Sequence, residues 1–385
     1  MKRRLRIAFI DDGICDAFLK STNGNIVIEH WRFDHMASFS YKGPTDILSH
    51  GTVCASIFAE YATDCDMIDL TVFCECTSQQ ESILESVLSA LLWCASHKVD
   101  LISMSMGTLS DCYGLRLKEV LNILESSNTL LLAACCNNNR LTYPACFNSV
   151  LGVRSLPQES AHTSFFCASP IDGIEIYTTF PKNCKCIKEY FPDMIFPFIP
   201  NSWSTPYVAA LLTNMGSPFF VERARKYLSE HLISMPKELQ YKFYDKFCNM
   251  ADKSENNISP IILARGFSPP QINELICDIN SDGYICVSAQ KTGNYFEISN
   301  GWYSSVCSEM DVGRVVRWIN FFYSAELIIL TCNKTYDINN NDLLDLIISS
   351  NHCSTQPSFD VPTLIQFHGE LISSFSKRII SSLSR

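Results

Sequence analysis

The chain has 385 residues, 47% hydrophobic and 18% charged, with a formal net charge of −10. It is too long for one ordinary core and too apolar for a disordered chain, so two folded domains are expected. The acidic balance argues against a general nucleic-acid or anionic-membrane role, since both call for basic faces.

Residues 5–11, "LRIAFID", read as a buried strand ending in Asp11-Asp12-Gly13, a turn signal at its carboxyl end. The unbroken apolar run there, Ile7–Ile10, is too short for a secretory signal. The chain opens almost directly on this strand, so no pro-domain is expected before Asp11. Residues 50–61 read as a helix and 65–73 as a strand. Residues 78–98 form an amphipathic helix with Ile83, Val87, Ala90, Leu91 and Cys94 on one face. A strand over 99–107 ends at Gly107, followed by a helix over 115–126 and strands over 128–138 and 149–153. After two further short strands, 204–215 reads as a helix. This alternation predicts an α/β fold, a mostly parallel sheet with helices on both faces. Such sheets gather chemistry at the carboxyl ends of their strands, where Asp11, Gly107 and Asn137 stand.

The character changes near residue 218. Residues 219–258 are helical and charged. Residues 258–266, 283–289 and 325–332 read as apolar strands, with helices near 270–279 and 308–322. The expected organisation is a domain over 1–217, a helical linker over 218–257 and a smaller α/β domain over 258–385. "IILARGFSPPQINELI" (261–276) is placed like the first strand and loop of a nucleotide-binding or flavodoxin-like fold. It has one Gly, two Pro and no Gly-Lys-Ser/Thr, so little is there to hold a triphosphate.

Nineteen cysteines form no repeating framework, and no apolar run is long enough to span a membrane. A reducing cytoplasmic setting follows, with most cysteines acting as small buried hydrophobes. Cys74/Cys76 and Cys184/Cys186 have Cys-x-Cys spacing. One spacer is short for a zinc knuckle, and no second pair with a matching His follows, so neither a metal nor another cofactor is expected.

Three segments each set a polar residue at a turn among small ones: "IAFIDDGI" (7–14), "SHGTVCAS" (49–56) and "PNSWSTPYVAA" (200–210). A serine hydroxyl is a poor nucleophile until a histidine takes its proton. A buried carboxylate must hold that histidine's tautomer and stabilise the imidazolium. Asp11, His50 and Ser202 supply these parts, in one of the known chain orders. Each also has a plain structural reading: His50 as a helix-start histidine, Asp11 as a turn carboxylate like Asp12, Ser202 as a helix cap.

Together these segments resemble the subtilisin-like serine peptidases, or subtilases. Asp11-Asp12-Gly13 after an apolar strand fits the family's aspartate motif, and His50-Gly51-Thr52-Val53-Cys54-Ala55 its histidine motif. Pro200-Asn201-Ser202-Trp203-Ser204-Thr205-Pro206-Tyr207-Val208-Ala209 is similar to Gly-Thr-Ser-x-Ala-x-Pro-x-Val-Ala. The Pro-x-Val-Ala tail puts Ser202, not Ser204, in the nucleophile's place. "LLAACCNNN" followed by "TYPA" implies Asn137 as the oxyanion-hole amide, although three consecutive Asn also read as a turn. "DLISMSMG" resembles the substrate-pairing strand, with Ser105, Met106 and Gly107 along one wall of the specificity pocket. Cys136 stands where the family often has Gly, which implies a pocket for small or medium side chains.

The resemblance covers residues 5–217 and implies a subtilisin-like fold and an intracellular serine endopeptidase. Its implied partner is a peptide or protein substrate, without nucleic acid, membrane, metal or cofactor. The two-part arrangement is similar to bacterial subtilases linked to maturation of ribosomally made peptides. Two departures stand out: Pro200 replaces a Gly and Asn201 a Thr. They set up the rival reading, a subtilase-shaped peptide-binding scaffold with impaired catalysis. A nucleotide-dependent regulator is disfavoured by the missing phosphate loop.

Overall fold

The computed structural model describes residues 3–19, 28–34, 37–44, 47–62, 65–73, 80–156, 164–179, 184–192, 200–250, 259–292, 295–301, 304–308, 311–331, 344–349, 363–365 and 371–383. Cys74 and Cys76 lie outside them. The chain divides into two compact units, Met1–Ala168 with Gly173–Met235, and Ser169–Asp172 with Pro236–Arg385. Among the described residues no helix is long and apolar enough to cross a membrane.

The first unit begins with β1 (Leu5–Asp11), α1 (Asp16–Leu19), β2 (Ile28–Asp34), β3 (Ala37–Ser40), α2 (His50–Tyr61), β4 (Cys65–Thr71) and α3 (Gln80–Ser96). It continues through β5 (Leu101–Met104), α4 (Asp111–Ser126), β6 (Leu130–Ala134), β7 (Val150–Ser155), β8 (Ser164–Phe166) and β9 (Ile176–Thr178). It closes with α5 (Lys185–Tyr190), α6 (Asn201–Thr213), α7 (Val221–His231) and β10 (Ile233–Ser234). The ten strands run in the order β10-β8-β9-β7-β6-β5-β1-β4-β2-β3. All neighbours are parallel except β2 with β3 and β8 with β9. The central strands β5 and β6 are buried at every position, as strands covered on both faces must be, and their sequences are accordingly apolar runs. This is the mostly parallel α/β sheet expected from the alternation of elements.

Helices α2 and α6 pack on this sheet and on one another, with Ala55, Phe58 and Ala59 in one core with Val208, Ala209, Ala210 and Leu212. Phe219, Val221, Ala224 and Leu228 join the same core, so α7 is part of the first unit. Several boundaries differ from the sequence reading, and the differences lie at the site. The strands expected over 99–107 and 128–138 end at Met104 and Ala134, and the chain beyond each leaves the sheet. The helix expected over 204–215 spans Asn201–Thr213, starting ahead of Ser202. Pro206 sits inside it.

The second unit holds α8 (Lys237–Met250), β11 (Ile261–Arg265), α9 (Pro269–Ser281), β12 (Cys286–Thr292), β13 (Tyr295–Ser299) and β14 (Ser304–Ser308). It ends with α10 (Val312–Tyr323), β15 (Leu327–Thr331), β16 (Leu346–Ser349), β17 (Thr363–Ile365) and α11 (Ile372–Leu383). Its sheet order is β14-β13-β12-β15-β11-β16-β17, parallel except for the β12-β13-β14 meander. Ile262, Ile329 and Ile348 of three neighbouring strands meet Leu275 and Ile279 of α9 and Phe375 of α11 in its core.

Candidate active site

Asp11 ends β1 beside Thr71 of β4 and is buried. Asp12 turns toward α2 instead. Its carboxylate accepts the His50 N–H at 3.1 Å and the Gly51 N–H at 2.7 Å, two of the amides that a helix start leaves without an acceptor. Ser49 caps the same turn, its Oγ accepting the Thr52 N–H at 3.1 Å and donating to the Gly13 carbonyl at 2.5 Å. The approach leaves no room for a side chain at Gly51, where a Cβ would lie 2.7 Å from the Gly13 oxygen and 3.0 Å from Asp11 Cβ. These contacts aim the imidazole. His50 Nδ1 lies 2.9 Å from both Asp11 carboxylate oxygens, and Nε2 lies 2.9 Å from Ser202 Oγ. With Nδ1–H donating to Asp11, Nε2 is left to accept the serine hydroxyl proton.

Burial raises the Asp11 carboxyl above its ordinary value, against the opposing pull of the His50 hydrogen bond. For His50, burial pulls downward. The Asp11 hydrogen bond, with the Cys54 contact and the Asp11 charge behind it, outweighs burial, and the net direction is up. Cys54 lies one helical turn on, its Sγ 3.8 Å from Nδ1 and 3.9 Å from Nε2. Burial pushes this thiol up as well, which keeps it protonated.

Ser202 is the second residue of α6, so its N–H is a helix-start amide without an intrahelical acceptor. Pro206 has no N–H to give the Ser202 carbonyl. Ser105 Oγ takes that role, donating to Ser202 O at 3.0 Å, with Cys54 Sγ 3.7 Å from the same oxygen. Asn201 ties the helix start to two strand ends. Its Nδ2 donates to the Cys136 carbonyl at 2.9 Å, and its Oδ1 accepts the Ser155 N–H at 2.7 Å. Its own N–H donates to Asn137 Oδ1 at 3.0 Å, which leaves Asn137 Nδ2 as a donor next to the turn that carries Ser202. Pro200 is the N-cap, and its carbonyl accepts the Trp203 N–H at 3.0 Å. The turn in the Asn run falls at Asn139, which has φ 59 and donates its N–H to Cys136 O.

Ser105, Met106 and Gly107 follow β5 directly. Gly107 is held against the neighbouring loop, where a Cβ would lie 2.5 Å from Thr142 Cγ2 and 2.8 Å from the Tyr143 oxygen. Met106 and Gly107 border an apolar cavity of about 220 Å³, also lined by Met104, Val87, Tyr113 and Leu117. Cys136 is not among its walls. The Cys136 thiol stays within its own loop, accepting the Arg140 N–H at 3.1 Å and lying 2.7 Å from Asn138 Oδ1. Asp12 and Asn201 are the site residues whose part the sequence reading missed. The signal for Asp12 was a second carboxylate ahead of a helix start that lay distant in sequence. Among the described residues two groups of possible metal ligands converge, Asp11/His50/Cys54 and Glu60/Cys184/Cys186.

The model of the Subtilase family matches residues 2–301. No curated protein sequence matches the chain. Among solved structures, a lanthipeptide protease is similar at 15% identity and a TM-score of 0.43, covering 60% of this chain and 81% of that one. The nisin leader peptidase NisP from Lactococcus lactis is similar at 17% identity and a TM-score of 0.42, covering 59% and 82%. The epidermin leader peptide processing serine protease EpiP from Staphylococcus aureus is similar at 15% identity and a TM-score of 0.41, covering 62% and 68%.

Proposed function

Because this chain belongs to the subtilase family and is a serine endopeptidase, we propose that Ser202 is its nucleophile, His50 its general base and Asp11 the carboxylate that orients His50. The single observation that carries this reading is the unbroken line of contacts from Asp11 through His50 to Ser202. Ser202 Oγ attacks the scissile carbonyl as its proton passes to His50 Nε2. Asp11 stabilises the imidazolium, which then gives the proton to the leaving amine. Water repeats the sequence on the acyl-enzyme and frees Ser202. The Ser202 N–H and Asn137 Nδ2 donate to the oxyanion of the tetrahedral intermediate. Ser105, Met106 and Gly107 lie along the substrate, and the adjoining apolar cavity takes one of its side chains. Cys136 bears on specificity through the shape of the loop it closes with Arg140. A ribosomally made precursor peptide in a reducing cytoplasm is the substrate and setting we infer, in keeping with the free cysteines among the described residues.

The experiment is peptide hydrolysis by single and double variants. Ser202→Ala and His50→Ala should each remove nearly all activity, and the double variant should be little worse than either, because each change alone disables the proton relay. Full turnover in Ser202→Ala would overturn the assignment.

A further inference from the structure

At the far end of α2 from His50, three possible ligands meet. Glu60 is the penultimate residue of the helix, and Cys184 and Cys186 flank the start of α5. Cys184 Sγ lies 3.3 Å from Cys186 Sγ and 3.3 Å from Glu60 Oε2. Both thiols are buried, Cys184 at 1% and Cys186 at 0% exposure, and Glu60 is partly open to solvent. The cysteine spacing alone does not predict a site, because the third ligand comes from a helix distant in sequence.

We propose that Glu60, Cys184 and Cys186 form a binding site for one borderline-soft divalent cation of the zinc class. Bond lengths of about 2.3 Å to sulfur and about 2.0 Å to oxygen in a tetrahedron put two sulfurs about 3.8 Å apart and a sulfur about 3.5 Å from an oxygen. The observed separations of 3.3 Å are within half an ångström of both, so the ligand atoms close on a cation with small side-chain shifts. Glu60 is already held in place by the Lys185 N–H at 2.8 Å and the Cys186 N–H at 3.1 Å, both to Oε2. A carboxylate accepts several hydrogen bonds, so these amides orient it without using up its coordinating capacity. The Cys184 S–H proton, donated to Glu60, occupies the place a cation would take. Binding deprotonates both thiols, releases two protons to solvent and leaves a two-thiolate, one-carboxylate set with a fourth position for water. Oxygen-only cations such as calcium do not suit two sulfurs.

The site sits in the apolar cluster that joins α2, α5 and α6, where Cys184 and Cys186 pack with Val53, Cys54, Ile57 and Trp203. A bound cation therefore ties α5 to the helix that carries His50. The role is structural, and the metal takes no part in the peptide hydrolysis proposed above.

The test uses the full chain, reduced and stripped of metal by a chelator. Zn²⁺ is titrated by calorimetry, and Co²⁺ by its thiolate charge-transfer absorbance. The wild type should bind one equivalent with proton release and a thiolate band. Outer contacts to metal ligands are worth about 10- to 100-fold in affinity, so losing a ligand should cost at least about 100-fold. Cys186→Ser should show that loss. Glu60→Gln keeps an acceptor for the amides and should fold, and it should weaken binding in the same direction. Cys112→Ser, at an exposed thiol, should bind as the wild type does. No uptake by the reduced wild type, or wild-type affinity in both Cys186→Ser and Glu60→Gln, would overturn the site. A Cys184–Cys186 disulfide forming in place of metal uptake would overturn it too.

Discussion

At the scale of single residues, the state of His50 sets the pH behaviour. In the proposed mechanism it must be neutral to take the Ser202 proton, and its contact with Asp11 favours the charged form. The acid limb of kcat/KM should therefore lie above the ordinary histidine value of about 6.5. Asp11→Asn removes the charge and leaves burial, so the limb should move to lower pH while turnover falls by roughly four orders of magnitude. A limb at the same pH in both proteins would contradict this, measured on enzyme shown to stay folded. Asn137 and Asn201 separate by the kind of damage they do. Asn137→Ala removes the proposed oxyanion donor as well as the acceptor of the Asn201 N–H, and should lower kcat by about 100- to 1,000-fold with little change in KM. Asn201→Ala strands the Ser155 N–H and leaves the Cys136 carbonyl with the Asn139 N–H as its donor, and should cost about 1–3 kcal/mol of stability for the amide left unpaired. Denaturant melts and steady-state kinetics on the two variants would show whether the effects divide this way.

At the scale of elements, the buried histidine of β2 joins three of them. His30 Nδ1 lies 2.8 Å from Asp69 of β4 and Nε2 lies 2.9 Å from Asp16 of α1. Burial pulls the His30 pKa down, and the Asp69 and Asp16 carboxylates outweigh it, so the folded value is raised. A raised histidine contributes stability that is fully present below its unfolded value, about 6.5, and is lost as pH rises through the folded value. The stability gap between wild type and His30→Gln in urea should therefore be larger near about pH 6 than near about pH 9. An equal gap at both would contradict the pairing. Much of this layer was legible in sequence. The 3.6-residue rhythm of "SILESVLSALLWC" marked α3: of the expected face Val87, Ala90, Leu91 and Cys94 are buried and Ile83 is half-buried, with Leu84, Leu88 and Trp93 buried beside them. The apolar runs of β1, β5 and β6 marked the centre of the sheet. Neither β2 nor β3 was read, because "IEHWRFD" is half-buried and polar, and its partners for His30 come from other elements. The start of α6 was read late because Pro206 breaks the local signal, while the compensating donor to Ser202, the Ser105 hydroxyl, comes from a distant loop. Asn201, Asp12 and Glu60 share that cause: each acts through partners remote in sequence.

At the scale of the whole molecule, the sheet explains why remote residues meet. Asp11, Ser105 and the Asn137 loop all stand at the carboxyl ends of parallel neighbours β1, β5 and β6, and α2 and α6 start over those ends. The family motifs in the chain thus share the carboxyl end of the central strands of one sheet. Here Pro200 and Asn201, the departures that raised the scaffold reading, have definite places. Pro200 lies outside the helix, and Asn201 fastens the serine turn to the loops on either side. A fluorophosphonate reacts with a serine only when a base takes its proton and donors stabilise the oxyanion, so it reads the whole arrangement at once. Wild-type protein treated with such a probe, digested and analysed by mass spectrometry should carry a single phosphonyl adduct, on Ser202. The adduct should be absent from Ser202→Ala and from His50→Ala. An unlabelled Ser202 in folded wild-type protein, or an adduct of equal yield on another residue in Ser202→Ala, would contradict the account.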